Sequence, residues 1–98
     1  MANLKELRQD LAIANRILAH EGVVDAYGHV SVRHPEDKGR FLLSRSRSPE
    51  LVSPDDLMEF GPDGEVVDKN DKRGPYLERF IHAAVYEARP EVVSVVHN

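Results

Sequence analysis

Two stretches with helical periodicity enclose several short segments that alternate like β-strands, and this order restricts the chain to layered α/β folds. Between residues 3 and 21, apolar side chains recur every three or four positions, at Leu4, Leu7, Leu11, Ala14 and Leu18. Between residues 75 and 88, they recur at Leu77, Ile81, Ala84, Val85 and Ala88. Asn3, with Glu6 three residues later, predicts the start of the first helix, and Gly22 predicts its end. Pro75 suits the first turn of the second helix.

The segments between the helices have the patterns of β-hairpins. Residues 28–34 (GHVSVRH) place two valines on one face and His29, Ser31 and Arg33 on the other. The turn PEDKG and the segment RFLLS complete a predicted hairpin. MEF and EVVD, joined by GPDG, predict a second hairpin, and residues 92–97 predict a further strand. We therefore expect helices to cover a mostly antiparallel sheet.

Charge and composition exclude several classes of function. The 98 residues include 17 acidic and 13 basic side chains, which give a net charge of -4. Such a protein repels phosphate backbones and anionic membrane surfaces, so we expect neither nucleic acid nor membrane as a partner. Cysteine is absent from the sequence, which fits a reducing compartment and leaves His, Asp and Glu as metal ligands. No segment resembles a secretory signal, and the sequence predicts a cytoplasmic protein.

Glu78 and His97 are the first candidates for chemistry. Glu78 lies in the first turn of the predicted second helix, and His97 ends a valine-rich strand. The helix, the turn at RPE and the returning strand bring both residues to one end of the layer. A carboxylate and an imidazole at a strand end are suited to a metal site with an acid/base beside it. Taken singly, each has a simpler interpretation, as a helix-start charge and as a histidine at a sheet edge.

The segment SRSRS is the second candidate. Ser44, Arg45, Ser46 and Arg47 combine guanidiniums and hydroxyls with no nearby acid, which favours an anion-binding pocket. The alternative is an exposed basic loop with both arginines in water. The remaining histidines, His20, His34 and His82, have no partner at ligand spacing and are predicted to lie at the surface or on a helix face.

Two stretches together resemble the N-terminal part of the class II aldolase and adducin-head family, which includes sugar-phosphate aldolases, epimerases and decarboxylases. The first is LRQDLAIANRILAHEGVVDAYGHVSVR, and the second is PYLERFIHAAVYEARPEVVSVVHN. The resemblance implies a three-layer α/β/α fold with a mostly antiparallel central sheet. It also implies that residues 1–98 are the N-terminal part of one family domain, and that the strand stops inside the metal-binding motif. A homotetramer is the expected assembly.

By the same resemblance, Glu78 looks like the family's catalytic acid/base and His97 like its first zinc-ligating histidine. The family's remaining ligands would follow beyond Asn98. A divalent metal, Zn²⁺ by family resemblance, would act there as a Lewis acid on a substrate oxygen. Aldol cleavage and decarboxylation both use that stabilisation of negative charge.

Departures from the family pattern bear on the substrate. Tyr76 and Leu77 stand where sugar-phosphate members have a phosphate-binding Ser-Ser pair, and His29 replaces the asparagine of a Gly-Asn motif. Arg45 and Arg47 are candidates for carboxylate forks. The predicted substrate contacts are His29, Ser31, Ser44, Arg45, Ser46, Arg47 and Tyr76. The pattern resembles the subgroup that decarboxylates aromatic or ring-opened catabolic acids such as dihydroxyphthalate. Retro-aldol cleavage of a hydroxy-keto acid or sugar phosphate, and a non-catalytic interaction module, are the alternatives.

Overall fold

The computed structural model describes residues 3–98 and contains two α-helices and a four-stranded antiparallel sheet. The elements are α1 (Leu4–His20), β1 (His29–Arg33), β2 (Phe41–Ser44), β3 (Leu57–Phe60), α2 (Arg79–Ala88) and β4 (Ser94–His97). Two short 3₁₀ turns, Pro49–Leu51 and Pro54–Asp56, precede β3. The strand order is β3-β2-β1-β4. No helix among residues 3–98 is long and apolar enough to cross a bilayer.

The core lies on both faces of the sheet, which gives three layers. Alternate side chains of β2 divide between them, because successive residues of a strand point to opposite faces. On one side, α1 covers a cluster of Leu11, Ala12, Val30, Leu42, Val52 and Leu57. On the other, α2 covers a cluster of Phe41, Leu43, Met58, Phe60, Tyr76, Ala83 and Tyr86. The predicted α/β/α arrangement is confirmed.

The first helix and the first hairpin form where the sequence predicts them. The Asn3 side chain accepts a hydrogen bond from the Glu6 backbone N–H at 2.8 Å and caps α1. Gly22, with φ of 73°, follows the end of the helix. β1 and β2 pair antiparallel, with Ser31 opposite Leu43.

The second predicted hairpin is only half formed. β3 is a strand, but the segment EVVD contributes a single bridge between Phe60 and Val66 and a hydrogen bond from Val67 N to Glu59 O. The reason lies at Asp68, whose carboxylate accepts the Asn70 N–H at 2.9 Å. This local turn draws the chain away from β3 before a second strand can extend.

The second helix begins at Arg79, four residues later than Pro75 predicts. Pro75 forms a bridge with Arg45, which keeps this segment extended along the SRSRS loop. Glu78 is consequently the N-cap of α2 and not a residue of its first turn. The predicted apolar stripe is also wrong, since Leu77 and Ile81 are 74% and 47% exposed. The buried residues of α2 are His82, Ala83 and Tyr86.

Arg33 joins the end of α2 to the strands. Its guanidinium donates to the carbonyls of Val92, Lys38, Tyr86 and Arg89. It also lies 4.7 Å from the centre of the Tyr86 ring. A cation near the C-terminus of a helix satisfies carbonyls that have no partner within the helix. The chain then turns and enters β4 at Ser94, two residues later than predicted.

A partly buried fork between Asp71 and Arg73 gives a pH-dependent contribution to stability. Hydrogen bonds from Arg73 lower the pKa of Asp71 to about 2, from 3.8 when unperturbed. Because the folded pKa is depressed, the contribution is complete above about pH 4 and is lost as the pH falls towards 2. We expect Asp71→Asn to lower the urea midpoint at neutral pH and to lose that difference between pH 4 and pH 2. Asp63→Asn, at a turn aspartate with no arginine fork, is the control; an equal, pH-independent loss in both variants would contradict the assignment.

Candidate functional site

Three predicted site residues meet where β1, β4 and the start of α2 come together. His29 lies opposite His97 in the β1–β4 register. Their rings stack with centroids 4.8 Å apart and planes within 4°. The Nε2 atom of His29 lies 3.5 Å from the Glu78 carboxylate. The structure thus brings Glu78 and His97 to the same end of the sheet, with His29 between them.

A cavity of about 440 Å³ opens beside Glu78. Its lining includes four of the predicted site residues, Ser46, Arg47, Tyr76 and Glu78. The other lining residues are Ala26, Tyr27, Ser48 and Leu77. The cavity therefore offers a carboxylate, a guanidinium and hydroxyls to a small molecule. The remaining predicted contacts, His29, Ser31, Ser44 and Arg45, do not line it.

The SRSRS loop is held by an acid that is distant in sequence. Both carboxylate oxygens of Asp56 accept from Arg47 Nη1 at 3.1 Å. Burial alone would raise the pKa of Asp56, but hydrogen bonds from the Ser53 backbone and from Arg47 outweigh it and lower that pKa. The interpretation of SRSRS as a segment without an acid nearby is therefore wrong. Among the described residues, the hydrogen bonds of the Arg47 side chain use only Nη1.

Arg45 and Ser44 do not line the cavity. The Arg45 charge helps to lower the pKa of Asp71, which is not among the residues that line the cavity. Ser44 is buried, and its hydroxyl donates to the carbonyl of Arg45. These two residues support the backbone of the loop, and the cavity receives Ser46 and Arg47 instead.

Tyr76 connects the loop to His29. Its hydroxyl donates to the Arg47 carbonyl and accepts from the Arg47 N–H. Its ring packs against His29 with centroids 4.5 Å apart. Tyr76 thereby fixes the position of the loop relative to β1 as well as forming a wall of the cavity.

His82 is the residue whose burial the sequence analysis missed. It is fully buried, and Nε2 lies 2.7 Å from His29 Nδ1, while Nδ1 lies 2.6 Å from Ser31 Oγ. The Ser31 hydroxyl is in turn 2.7 Å from the Tyr86 hydroxyl. His82 lies on a helix face, one of the two positions predicted for it, but that face is buried because it packs on the polar side of β1. The spacing of four between His82 and Tyr86 was the available signal.

His34 is also buried, contrary to the prediction. It is 9% exposed, and its Nε2 lies 3.0 Å from the Glu59 carboxylate. Its Nδ1 accepts the backbone N–H groups of Glu36 and Asp37. This histidine closes the turn after β1, away from the cavity. His20 is exposed, as predicted.

The family resemblance implies a divalent metal, and the surroundings of His97 show whether it is suited to be a ligand. Its Nδ1 is buried without a hydrogen-bond partner, and no hydrogen bond among the described residues uses either ring nitrogen. An unengaged imidazole at a strand end fits one ligand of a divalent cation. Among residues 3–98, no group of three or more His, Cys, Asp or Glu side chains is arranged to hold a metal. The described residues thus fit a partial site.

The fold is that of a known family. The chain belongs to the Class II Aldolase and Adducin N-terminal domain family, whose model matches residues 9–98. It superposes on the L-fuculose 1-phosphate aldolase from Glaciozyma antarctica PI12 with a TM-score of 0.82. The two are 31% identical, and the match covers 96% of this chain and 40% of that chain. The resemblance seen in the sequence and the expected fold are both confirmed.

Two curated relatives are decarboxylases. The chain is 48% identical over 84 residues to the decarboxylase tropJ of Talaromyces stipitatus. This match covers 84% of this chain and 31% of tropJ. It is 31% identical over 99 aligned positions to the 3,4-dihydroxyphthalate decarboxylase of Arthrobacter keyseri. This match covers 92% of this chain and 39% of that enzyme. The chain spans less than half the length of these relatives.

Proposed function

We propose that the protein is a divalent-metal-dependent lyase that removes carbon dioxide from a small, unphosphorylated carboxylate, as in the breakdown of aromatic acids. One observation carries this proposal: Glu78 and Arg47 line the same cavity, and His29 connects Glu78 to His97. An acid/base, a cation for an anionic substrate and a metal ligand are the groups that such a reaction requires. A cytoplasmic homotetramer remains the expected form.

Arg47 binds the substrate carboxylate. Asp56 holds one terminal nitrogen of the guanidinium, which leaves Nε and Nη2 to form a fork with a planar carboxylate. Ser46 and Tyr76 line the cavity beside Arg47 and make this part of its wall polar. Leu77, in the place of a phosphate-binding serine, gives the cavity an apolar side that suits an aromatic ring better than a phosphate.

Glu78 supplies the proton that takes the place of the departing carboxyl group. When the bond to the carboxyl carbon breaks, carbon dioxide leaves and the electron pair passes to the neighbouring carbonyl group. A protonated Glu78 at the edge of the cavity then gives its proton to the carbon, and solvent restores it. Its place as the N-cap of α2 aims the side chain out of the helix and into the cavity.

His97 is the proposed metal ligand of this chain, with Zn²⁺ as the proposed ion. A bound divalent cation would supply Lewis acidity that stabilises the negative charge as the carbon–carbon bond breaks. His29 stacks on His97 and keeps the imidazole at the end of β4, beside the cavity wall. The open ring nitrogens of His97 support this assignment.

Aldol cleavage is the second candidate, and the likeness to the L-fuculose 1-phosphate aldolase supports it. The same glutamate and metal ligand would serve it, so the product decides between the two reactions. The loss of the Ser-Ser pair at Tyr76 and Leu77 favours the decarboxylase over a sugar-phosphate aldolase.

The test combines metal analysis with a substrate screen on the natively purified protein. We expect about one divalent ion per chain, and release of carbon dioxide from one member of a panel of aromatic and keto acids. An aldehyde product without carbon dioxide would replace decarboxylation by aldol cleavage. Metal-free protein with no turnover of any acid in the panel, to carbon dioxide or to an aldehyde, would overturn the enzyme proposal in favour of an interaction module.

A further inference from the structure

A chain of buried polar side chains runs from the interior of the protein to Glu78. Tyr86 Oη contacts Ser31 Oγ at 2.7 Å, and Ser31 Oγ contacts His82 Nδ1 at 2.6 Å. His82 Nε2 contacts His29 Nδ1 at 2.7 Å, and His29 Nε2 faces the Glu78 carboxylate at 3.5 Å. Three of the five residues are fully buried. Buried polar groups at this density require that every proton have an acceptor.

This series of hydrogen-bonded side chains follows from the periodicities of the strand and the helix. His29 and Ser31 are two residues apart on β1 and therefore share a face. His82 and Tyr86 are four residues apart on α2 and also share a face. When these faces pack together, the four polar groups interleave in one line. The network is thus built by the sheet and the helix and not by a loop.

The direction of the hydrogen bonds is fixed from the Glu78 end. Once Glu78 has given up its proton, the carboxylate can only accept, so a favourable contact in that state requires the proton of His29 on Nε2. His29 Nδ1 then accepts from His82 Nε2–H, and His82 Nδ1 accepts from the Ser31 hydroxyl. Ser31 accepts in turn from Tyr86, so each of the three hydrogen bonds among these four residues has one donor and one acceptor, and the His29 Nε2 proton faces Glu78 without yet forming a hydrogen bond. The reverse direction would aim a lone pair of His29 at the carboxylate.

The pKa values of His82 and Tyr86 agree with this direction. Burial lowers the pKa of His82 to about 3, so its ring is neutral and has one donor and one acceptor. Burial raises the pKa of Tyr86 to about 12, so the phenol keeps its proton and donates it to Ser31. Because the Tyr86 phenol does not ionise, this series of hydrogen bonds orients the side chains and delivers no net proton to Glu78.

We propose that His82 is a positioning residue of the site, which fixes the tautomer of His29 so that its Nε2–H faces Glu78 and holds the carboxylate at the cavity. The inference rests on the proposed function, in which Glu78 moves the proton. At 3.5 Å the contact is longer than a usual N–H···O hydrogen bond, and a shift of about half an ångström closes it.

The direct test is the tautomer state of the histidines, read from long-range ¹H–¹⁵N spectra of the ¹⁵N-labelled protein. We expect His29 and His82 both to carry their proton on Nε2. His34 is an internal reference, because two backbone N–H groups occupy its Nδ1 and leave the proton on Nε2. A proton on Nδ1 of His82, or a doubly protonated ring at neutral pH, would overturn the proposal.

The kinetic test separates positioning from packing. We expect His82→Leu to lower kcat by about 10- to 100-fold with KM little changed. His82→Gln can still donate to His29 Nδ1 and is expected to recover most of kcat. His34→Leu removes a buried histidine that faces a carboxylate outside the cavity, and it is expected to lower stability but not kcat.

The outcomes distinguish this inference from the function on which it rests. Full kcat in His82→Leu, alongside an inactive Glu78→Gln, would overturn the positioning role and leave the proposed function intact. Equal losses of kcat in His82→Leu and His34→Leu would show a general effect of stability and would also overturn it. Normal turnover in Glu78→Gln would remove the proposed function, while the tautomer spectrum would still decide the direction of the chain.

Discussion

Replacement of Glu78 by Gln is expected to lower kcat by a factor of about 10²–10⁴ while metal content stays unchanged. The amide has nearly the size of the carboxylate but can neither accept nor return the proton of the reaction. Because His97 is the proposed ligand, the substitution leaves the metal in place. Steady-state rates of carbon dioxide release, measured with metal content on the same sample, check both parts.

Glu59→Gln is the matched control for that experiment. Glu59 also faces a histidine, since its Oε1 lies 3.0 Å from His34 Nε2, but it is outside the cavity. We expect kcat in this control to remain within about twofold of the wild type, since the change touches no reacting atom. Comparable losses in the two glutamine variants would mean that Glu78 acts through the fold and not on the substrate.

Gly28→Ala is expected to cause a large loss of stability. A Cβ at position 28 would lie 2.5 Å from Val24 Cβ and 3.2 Å from the His97 carbonyl oxygen. Val24 is buried and cannot withdraw. Overpacking of this kind costs about 1–3 kcal/mol, and the urea midpoint measures it. The strain would also separate β1 from β4, where His29 stacks on His97.

Gly74→Ala is the control for the glycine prediction. No atom lies within 4 Å of a Cβ built at this position. Replacement of glycine by alanine at an unstrained site stabilises a protein by about 0.4–1 kcal/mol through the unfolded chain. We therefore expect opposite signs for the two variants. A loss of stability in both would show that the backbone conformation, and not the contact with Val24, determines the effect.

The parts of the fold that the sequence predicts correctly are those where periodicity and capping agree. The first helix has its apolar stripe, its Asn3 cap and Gly22, and the first hairpin has its alternation. The second helix misleads because its buried face contains His82 and Tyr86, while Leu77 and Ile81 face outward. A hydrophobic pattern cannot identify a face that is buried by hydrogen bonding to a strand.

The candidate site was predicted in outline and not in its connections. Glu78 and His97 lie at the same end of the sheet, as the order of elements predicts. Asp56, which holds Arg47, comes from a turn nine residues further along the chain, and no spacing rule links the two. Such a contact depends on how the loop after β2 folds back, which is decided by tertiary packing.

The contacts of Arg33 have a consequence for how this side of the protein opens. One guanidinium holds the turn of the hairpin at Lys38, the last turn of α2 and the segment before β4 at Val92. If one of these three segments detaches, it loses its hydrogen bond to the charged guanidinium of Arg33, which the other two segments also bind. Local fluctuations here are therefore coupled, and this end of the sheet behaves as one cooperative unit instead of three independently fraying ends.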